Sequence, residues 1–331
     1  MVSPLRTRQL LEQVLRSVQE SGWQALIFDG HKPFHLRFFR DDERGFDVVI
    51  YIWNCTHGGG AARARNEYRV QVTGVVPTIM PGQTTLLLGW HSGYGVFVGF
   101  DIRRHNQQDS QSPSIQVREE TLQAAHTQAF AIHYRGNGEI AVAFRPEFFV
   151  EYALNAETLH STGQTTDDLT LLNNLGALSD TVISEVQNQE RRVVISQIAR
   201  RYRATDFRRR VVGAYGHRCA MCGVQLELID AAHIIPVASD RSTDETRNGI
   251  SLCKLHHAAM DQNLVSFDER YRVEVSPAEV ARLRAANLVG GLAEFEQSLR
   301  TAIILPNDRR DYPPPDYISE SRVIRRWGLG G

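Results

Sequence analysis

Residues 218–261 read RCAMCGVQLELIDAAHIIPVASDRSTDETRNGISLCKLHHAAMD, and this stretch decides how the C-terminal part of the chain folds. It contains two pairs of metal-ligand residues at short spacing. Cys219 and Cys222 form a Cys-x2-Cys pair, and Cys253 and His256 form a Cys-x2-His pair. Pairs at this spacing, with room for a small hairpin between them, are typical of tetrahedral zinc sites. We therefore predict a structural Zn²⁺ bound by Cys219, Cys222, Cys253 and His256.

A second set of polar residues is interleaved with the zinc pattern. His257 and Asp261 are four residues apart, so on a helix they share one face and can hold one ion. His233 lies in an apolar run that predicts a strand, and Asn248 follows it along the chain. A lone histidine on a strand is more often a packed core residue. Four polar residues in this order around a zinc framework instead favour an active site.

These motifs resemble an HNH nuclease of the ββα-metal type, built on a treble-clef-like zinc knuckle, over about residues 205–275. The three letters correspond to His233, Asn248 and His257. An imidazole titrates near neutral pH, so His233 is expected to be the general base. Asn248 is expected to brace the loop, while His257 and Asp261 hold a catalytic Mg²⁺ or Mn²⁺. The resemblance implies 5′-phosphate and 3′-hydroxyl products.

One position departs from the family pattern. Many members place a metal-binding residue directly before the first histidine, where this chain has Ala232. Asp230 lies two residues earlier in the predicted strand, so its side chain points to the same face as that of Ala232. Two interpretations stay open: Asp230 binds the catalytic metal itself, or it supports a ligand from behind.

The rest of the 331-residue chain is long enough for a second domain. Short runs rich in β-branched and aromatic residues, separated by Gly, Pro and Asn, predict a β-rich α+β recognition or sensor domain over residues 1–155. A helical connector is expected over residues 156–204, the nuclease domain over 205–275, and a helical, Pro-rich extension over 276–331. The predicted fold class is α+β, with a β-rich α+β domain joined by helices to a ββα-metal domain.

The predicted N-terminal domain contains no clear catalytic pattern. Four aromatic residues lie near Gly-rich turns: Trp53, Trp90, Tyr94 and Phe97. They could stack on a flipped base or pack the sheet, and packing is favoured because aromatic residues are common in strands. A Gly-rich run followed by arginines, within residues 57–69, could clamp phosphate, but no helix follows it to strengthen that prediction.

Charge is distributed unevenly, although the formal net charge is only −1. Residues 156–190 carry six acidic and no basic side chains, whereas residues 191–220 carry nine Arg and one acid. The arginine run is either a phosphate-contacting stripe or a solvated helix face. The residues predicted to contact DNA are Arg200, Arg201, Arg208, Arg209 and Arg210.

No signal peptide opens the chain and no apolar run approaches the ~20 residues that span a bilayer, so no membrane partner is expected. Cysteines used for metal fit a reducing bacterial cytoplasm. We predict a restriction or phage-defence endonuclease acting on double-stranded DNA, with modified DNA as a candidate target. Two alternatives remain: the first domain senses a protein or small ligand, or the chain is a non-catalytic zinc-knuckle DNA-binding protein. One HNH site cuts one strand, so a double-strand cut would need a homodimer or two successive nicks.

Overall fold

The structure, a computed structural model, describes residues 3–41, 43–58, 64, 66–106, 113–135, 138–161 and 167–327. The chain divides into two compact units, Met1–Tyr202 and Arg203–Gly331, hereafter unit 1 and unit 2. The Gly-rich run predicted to clamp phosphate lies partly outside the described residues. In the part of the chain that the structure covers, no helix is long and apolar enough to cross a membrane.

Across the described residues, unit 1 contains a nine-stranded sheet that is antiparallel except where β3 pairs with β5. The strands are β1 Gln24–Asp29, β2 Phe34–Arg40, β3 Glu43–His57, β4 Glu67–Gln71, β5 Thr84–His91, β6 Val96–Phe100, β7 Ser114–Arg118, β8 Phe130–Tyr134 and β9 Ile140–Phe144. The main path runs β1-β2-β3-β5-β6-β9-β8, and β4 joins β3 to β7. Strand β3 is the longest strand of the sheet. Its first part pairs with β2 and β5, and its last part pairs with β4.

Both faces of the central part of this sheet are buried. Side chains alternate along a strand, so β3 sends Val48 and Ile50 into one hydrophobic core and Val49 and Tyr51 into a second. Three of the four aromatic residues considered above, Trp53, Trp90 and Phe97, are buried in these cores. Packing is therefore their role. Tyr94 is half-buried, and its hydroxyl donates to Glu119 over 2.9 Å.

The helices of unit 1 are α1 Thr7–Glu20, α2 Glu119–Gln128, α3 Phe149–His160, α4 Asp167–Thr170, α5 Asp180–Ser184 and the first part of α6 Gln189–Ala214. Apolar residues repeat along α1 with helical spacing, so Leu10 and Val14 face the core. The segment predicted as a connector supplies Leu159, Leu172 and Ile198 to that same core. Residues 156–161 and 167–202 are thus packed as part of unit 1.

Unit 2 begins with the second part of α6 and is centred on a small hairpin. Strands β10 Ile229–His233 and β11 Gly249–Cys253 pair antiparallel, and α7 Lys254–Asp261 follows β11 directly. A second hairpin, β12 Val265–Phe267 and β13 Val273–Val275, precedes α8 Pro277–Ala285, α9 Leu292–Ser298 and α10 Pro315–Ile324. One core joins the two hairpins with α6, α7, α9 and α10. The predicted α+β class and the ββα arrangement are confirmed.

Candidate active site

Strand β11 and helix α7 carry both kinds of metal ligand, because β11 ends at Cys253 and α7 starts at the next residue. Cys253 is therefore also the N-cap residue of α7. At the opposite end of the hairpin, His233 pairs with Gly249. The hairpin therefore separates the candidate zinc cluster from the candidate general base by the length of one short strand.

The four predicted zinc ligands come together. The ligand atoms of Cys219, Cys222, Cys253 and His256 all lie within 4.8 Å of one another. Nδ1 of His256 lies 3.2 Å from Sγ of Cys253 and 3.5 Å from Sγ of Cys219. A tetrahedral ion with Zn–S bonds of about 2.3 Å separates its sulfur ligands by about 3.8 Å. The spacing of this cluster therefore fits zinc.

The thiols themselves also indicate a cation. Burial raises the pKa of Cys222 to about 12 and raises that of Cys253, and the charge of Cys219 adds to both effects. Burial also disfavours the Cys219 thiolate, but hydrogen bonds from His256 and the backbone lower its pKa to about 6. Three adjacent thiolates need a positive charge to coexist, and a zinc ion coordinated here would supply it.

The surrounding elements hold the cluster in place. Gly223 has φ +85° in the turn between the ligand pairs, and its N–H donates to the Cys219 carbonyl over 2.8 Å. His256 is 1% exposed, and its ring lies 5.4 Å from that of Phe295 on α9. Ser298 on the same helix places its hydroxyl 3.4 Å from Nε2 of His256. Helix α9 thereby restricts the orientation of the histidine ligand.

His233 is held by two contacts at the end of β10. Its ring stacks on Phe207, with centroids 3.8 Å apart and an interplanar angle of 9°. Its Nε2 lies 2.9 Å from Oδ1 of Asp244. An imidazole that donates Nε2–H to a carboxylate keeps Nδ1 as the proton acceptor. The arrangement suits a general base. Asp244 was not predicted, because no short spacing rule connects it to His233.

Asn248 holds the loop between β10 and β11 by hydrogen bonds to the loop backbone. Its Oδ1 accepts from the Ile235 N–H over 2.9 Å, and its Nδ2 donates to the Thr243 carbonyl over 2.8 Å. Its own carbonyl accepts from the N–H of Ile234 over 2.8 Å. The residue is fully buried. This geometry suits bracing of the loop that carries Asp244, and Asn248 does not reach the surface where a substrate would bind.

His257 and Asp261 lie on one face of α7, with His257 Nε2 3.6 Å from Asp261 Oδ2. The other carboxylate oxygen lies 3.3 Å from Nη1 of Arg325, a residue from the chain's C-terminal tail that the sequence did not indicate. One imidazole and one carboxylate, both partly exposed, can bind a divalent ion and leave positions for water and phosphate. These residues fit a catalytic Mg²⁺ or Mn²⁺.

Asp230 lies in a separate network. Its carboxylate lies 2.6 Å from Nζ of Lys254 and 3.1 Å from Nε of Arg208. Burial raises its pKa, but these cations and the neighbouring backbone outweigh burial and lower it. Within residues 203–327, Asp230, His257 and Asp261 do not form a three-ligand cluster. The structure thus favours Asp230 as a support for the start of α7 over Asp230 as a metal ligand.

Most of the arginines predicted to contact DNA have partners inside the chain. In unit 2, Arg209 and Arg210 each lie 2.7 Å from Asp206, and Arg208 pairs with Asp230. These ion pairs neutralise part of the positive charge of the arginine run on α6. They leave fewer free cations for phosphate than the count of arginines suggested.

The two predicted arginines of unit 1 differ from each other. Arg201 donates to the carbonyls of Glu20 and Glu147, at 2.7 and 3.2 Å, so it serves the packing of unit 1. Arg200 is exposed on α6. Of the five, Arg200 is thus the one best placed to meet a ligand from solvent.

Two segments of the chain match family models. Residues 219–268 match the family model HNH endonuclease, and residues 46–153 match the family model Methylase-associated X1. Curated proteins give no significant match. Among solved structures, a chain titled modification-dependent TagI restriction endonuclease is similar at 12% identity and a TM-score of 0.28, over 84% of this chain and 80% of that chain.

The HNH match begins at Cys219 and includes every predicted zinc ligand together with His233, Asn248, His257 and Asp261. The matched segment therefore covers the hairpin and α7, which carry most of these residues. Residues 219–268 form an HNH endonuclease domain, which makes this chain a nuclease with a methylase-associated X1 domain ahead of the nuclease domain.

Proposed function

We propose that the chain is a metal-dependent DNA endonuclease of restriction or phage-defence type. The observation that carries this proposal is the pair formed by His233 and Asp244 on the HNH scaffold, together with Arg325, which contacts both the His233 carbonyl and Asp261 of α7. A base and a candidate metal site on the same scaffold are the two requirements of phosphodiester hydrolysis. The substrate is double-stranded DNA.

In this mechanism His233 takes the proton from the attacking water at Nδ1. Asp244 fixes the ring through Nε2–H and stabilises the imidazolium that forms, while Phe207 prevents the ring from rotating. Asn248 keeps the Asp244 loop in place. His257 and Asp261 would hold a Mg²⁺ or Mn²⁺ ion, which would supply positive charge to the leaving 3′ oxygen. The products are a 5′-phosphate and a 3′-hydroxyl.

Zinc has a different role in the same domain. Cys219 and Cys222 lie before the hairpin, Cys253 is its last residue and His256 lies in α7, so zinc bound there would cross-link the two ends. All four positions belong to the zinc set, which leaves no coordination site for a substrate. The domain is small, and such a cross-link supplies a large share of its folding free energy.

We propose that residues 1–155 read the DNA and residues 205–275 cut it. The family of the first domain is named for association with methylases. A nuclease that works beside a DNA methylase must distinguish modified from unmodified DNA, or it would cut the methylated host genome. This reasoning supports a restriction system in which base modification decides cleavage. If the enzyme cuts both strands, a homodimer or two successive nicks would be required.

A second candidate role keeps the nuclease but makes unit 1 a sensor for a small ligand. A cavity of about 410 Å³ in unit 1 favours it, lined by residues that include Asp101, Arg103, Tyr152 and His160. Tyr152 and His160 are buried and hydrogen-bonded to each other over 2.9 Å. DNA binding by the full chain separates the roles, because a reader discriminates modified from unmodified duplexes without any added ligand. The non-catalytic alternative is not supported, since the HNH residues are present together.

The test is nicking of supercoiled plasmid by the full chain with Mg²⁺ or Mn²⁺. We expect His233→Ala to abolish cutting and EDTA to do the same. His31→Ala serves as the control, because its side chain is 97% exposed and lies in unit 1. Plasmids and phage DNAs with different base modifications then define the target class. Cutting by His233→Ala at the wild-type rate would refute the assignment of the base.

A further inference from the structure

Arg325 occupies the candidate active site although it lies outside the HNH match. Its Nη1 lies 3.3 Å from Asp261 Oδ1, and its Nη2 donates to the carbonyl of His233 over 3.4 Å. It therefore contacts both the strand that carries the base and the helix that carries the metal ligands. A phosphate bound between His233 and Asp261 would have this guanidinium beside it.

The backbone of Arg325 is fixed independently of its side chain. Helix α10 ends there, with the Arg325 N–H donating to the Ser321 carbonyl over 2.9 Å. Asn263 donates to the Arg325 carbonyl over 2.8 Å. Ser321 itself is buried and donates to the carbonyl of Ile234, next to His233, over 2.6 Å. The tail thus delivers the guanidinium to the end of β10 from a rigid support.

The guanidinium still has hydrogen-bonding capacity to offer. Its side chain is only 16% exposed, yet Nε is buried without a hydrogen-bond partner among the described residues. Both of its polar contacts are long for charged groups, which normally approach to about 2.7–2.9 Å. An arginine donates five N–H groups in a planar fork that matches phosphate oxygens. The contacts to Asp261 and His233 therefore leave donors free.

The carboxylates of the candidate site create a need for a cation beside the substrate. The candidate site exposes two carboxylates, Asp244 and Asp261, towards a substrate whose backbone is anionic. Without a neighbouring cation these groups repel a phosphate. Arg208 and Lys254 are occupied by Asp230. Arg325 is the arginine that lies against Asp261 and His233 themselves.

We propose that Arg325 is a phosphate-contacting residue of the nuclease site, which Asp261 holds in place until DNA binds. This inference rests on the proposed function. The competing explanation is that Arg325 only positions Asp261. The two explanations differ in what they require of metal binding. A phosphate contact can be lost while the metal still binds, and removal of a cation near Asp261 leaves Mn²⁺ binding equal or tighter. A positioning residue, when lost, weakens Mn²⁺ binding.

The experiment uses the zinc-loaded full chain with Arg325→Gln, Arg325→Lys and the control Arg282→Gln. Arg282 lies 2.7 Å from Glu279 on α8, so its loss removes the same charge from another arginine–carboxylate pair of unit 2. Three quantities are measured: the Mn²⁺ dissociation constant without DNA, duplex affinity in a His233→Ala background, and the plasmid nicking rate at saturating Mn²⁺.

We expect Arg325→Gln to slow nicking on the order of 100-fold, the effect of losing one donor to a transition-state anion. It should also weaken duplex binding and leave Mn²⁺ affinity undiminished, while Arg282→Gln matches the wild type. Arg325→Lys should retain part of the rate, and it remains informative if Arg325→Gln folds poorly. The inference is overturned if Arg325→Gln binds Mn²⁺ weakly and excess Mn²⁺ restores its rate, or if it cuts like the wild type. Failure of the wild type to cut under any metal would instead refute the proposed function.

Discussion

Replacing His256 and His257 one at a time with alanine tests whether two adjacent histidines serve two different metal ions. Neighbouring helical residues point about 100° apart, so the two rings face different surroundings. His256 is 1% exposed and lies within 3.5 Å of two cysteine sulfurs. The His257 side chain is 27% exposed and faces Asp261. Each substitution should therefore affect one ion and spare the other.

The magnitudes follow from these environments. Zinc in small structural sites contributes about 10–16 kcal/mol, which matches or exceeds the 5–15 kcal/mol net stability of a typical domain. His256→Ala should therefore lose zinc and unfold unit 2. His257→Ala removes a partly exposed side chain, which costs about 0.5 kcal/mol or less. Its nicking rate should still fall at least a hundredfold, since about 3 kcal/mol of transition-state stabilisation corresponds to that factor.

The assay compares zinc content per chain, thermal melting of the full chain, and plasmid nicking with Mn²⁺ for both variants and the wild type. His257→Ala should keep its zinc and its melting transition while losing cleavage. The reasoning would be refuted if His257→Ala lost zinc while His256→Ala retained zinc and cut normally. That outcome would mean that His257, and not His256, is the zinc ligand, and that the assigned roles in α7 are off by one residue.

Four further predictions concern other parts of the molecule. Asp244→Asn should slow nicking about 10- to 100-fold at constant zinc content. Changing a buried triad carboxylate has a roughly 10⁴-fold effect, and we expect less here because the Asp244 side chain is 47% exposed. An unchanged rate would remove Asp244 from the mechanism. Gly249→Ala should cost about 1–3 kcal/mol in chemical denaturation, because its Cβ would lie 2.2 Å from Val211 Cγ2 and 3.0 Å from Phe207 Cζ; Gly213→Ala, where nothing lies within 4 Å, is the control. Burial lowers the pKa of His160 to about 4, below the 6.5 of an unfolded histidine, so only the unfolded chain gains a proton between these values. Stability should therefore fall by up to about 3 kcal/mol as pH drops from 6.5 to 4, and the fall should be smaller in His160→Gln melts. If Arg200 contacts a phosphate, Arg200→Glu should reduce the slope of log affinity against log salt concentration by about 0.9. Arg208→Glu should mainly destabilise unit 2, because it breaks the ion pair with Asp230. Equal slopes for both variants and the wild type would show that this face of α6 contacts only solvent.

The parts of the site that the sequence could predict depend on short spacings. Ligands such as Cys253 and His256 are three residues apart, and His257 and Asp261 are one helical turn apart, so local backbone geometry alone brings each pair together. Asp244 and Arg325 meet His233 only after a loop folds back and a tail docks. Those contacts span 11 and 92 residues, and no periodic pattern encodes them.

Charge and composition alone do not show which partners a segment has, for a related physical reason. The arginine run suggested a free basic stripe, but a sequence count does not reveal that Asp206 binds both Arg209 and Arg210. The acidic segment after residue 155 suggested a connector, although its few leucines are spaced to reach the core of unit 1, as Leu172 does. Net charge reports on solvation, whereas a handful of apolar residues decides where a segment packs.

The docking of the C-terminal tail has a practical consequence for protein engineering. A nuclease cassette cut at residue 268, where the family match ends, would lack Ile303 and Ile318, both of which lie in the core of unit 2. It would also lose Ser321, which binds the carbonyl of Ile234. We expect such a cassette, fused to a foreign DNA-binding domain, to be unstable even with zinc bound. We therefore expect a portable nuclease to need the whole of unit 2, Arg203–Gly331.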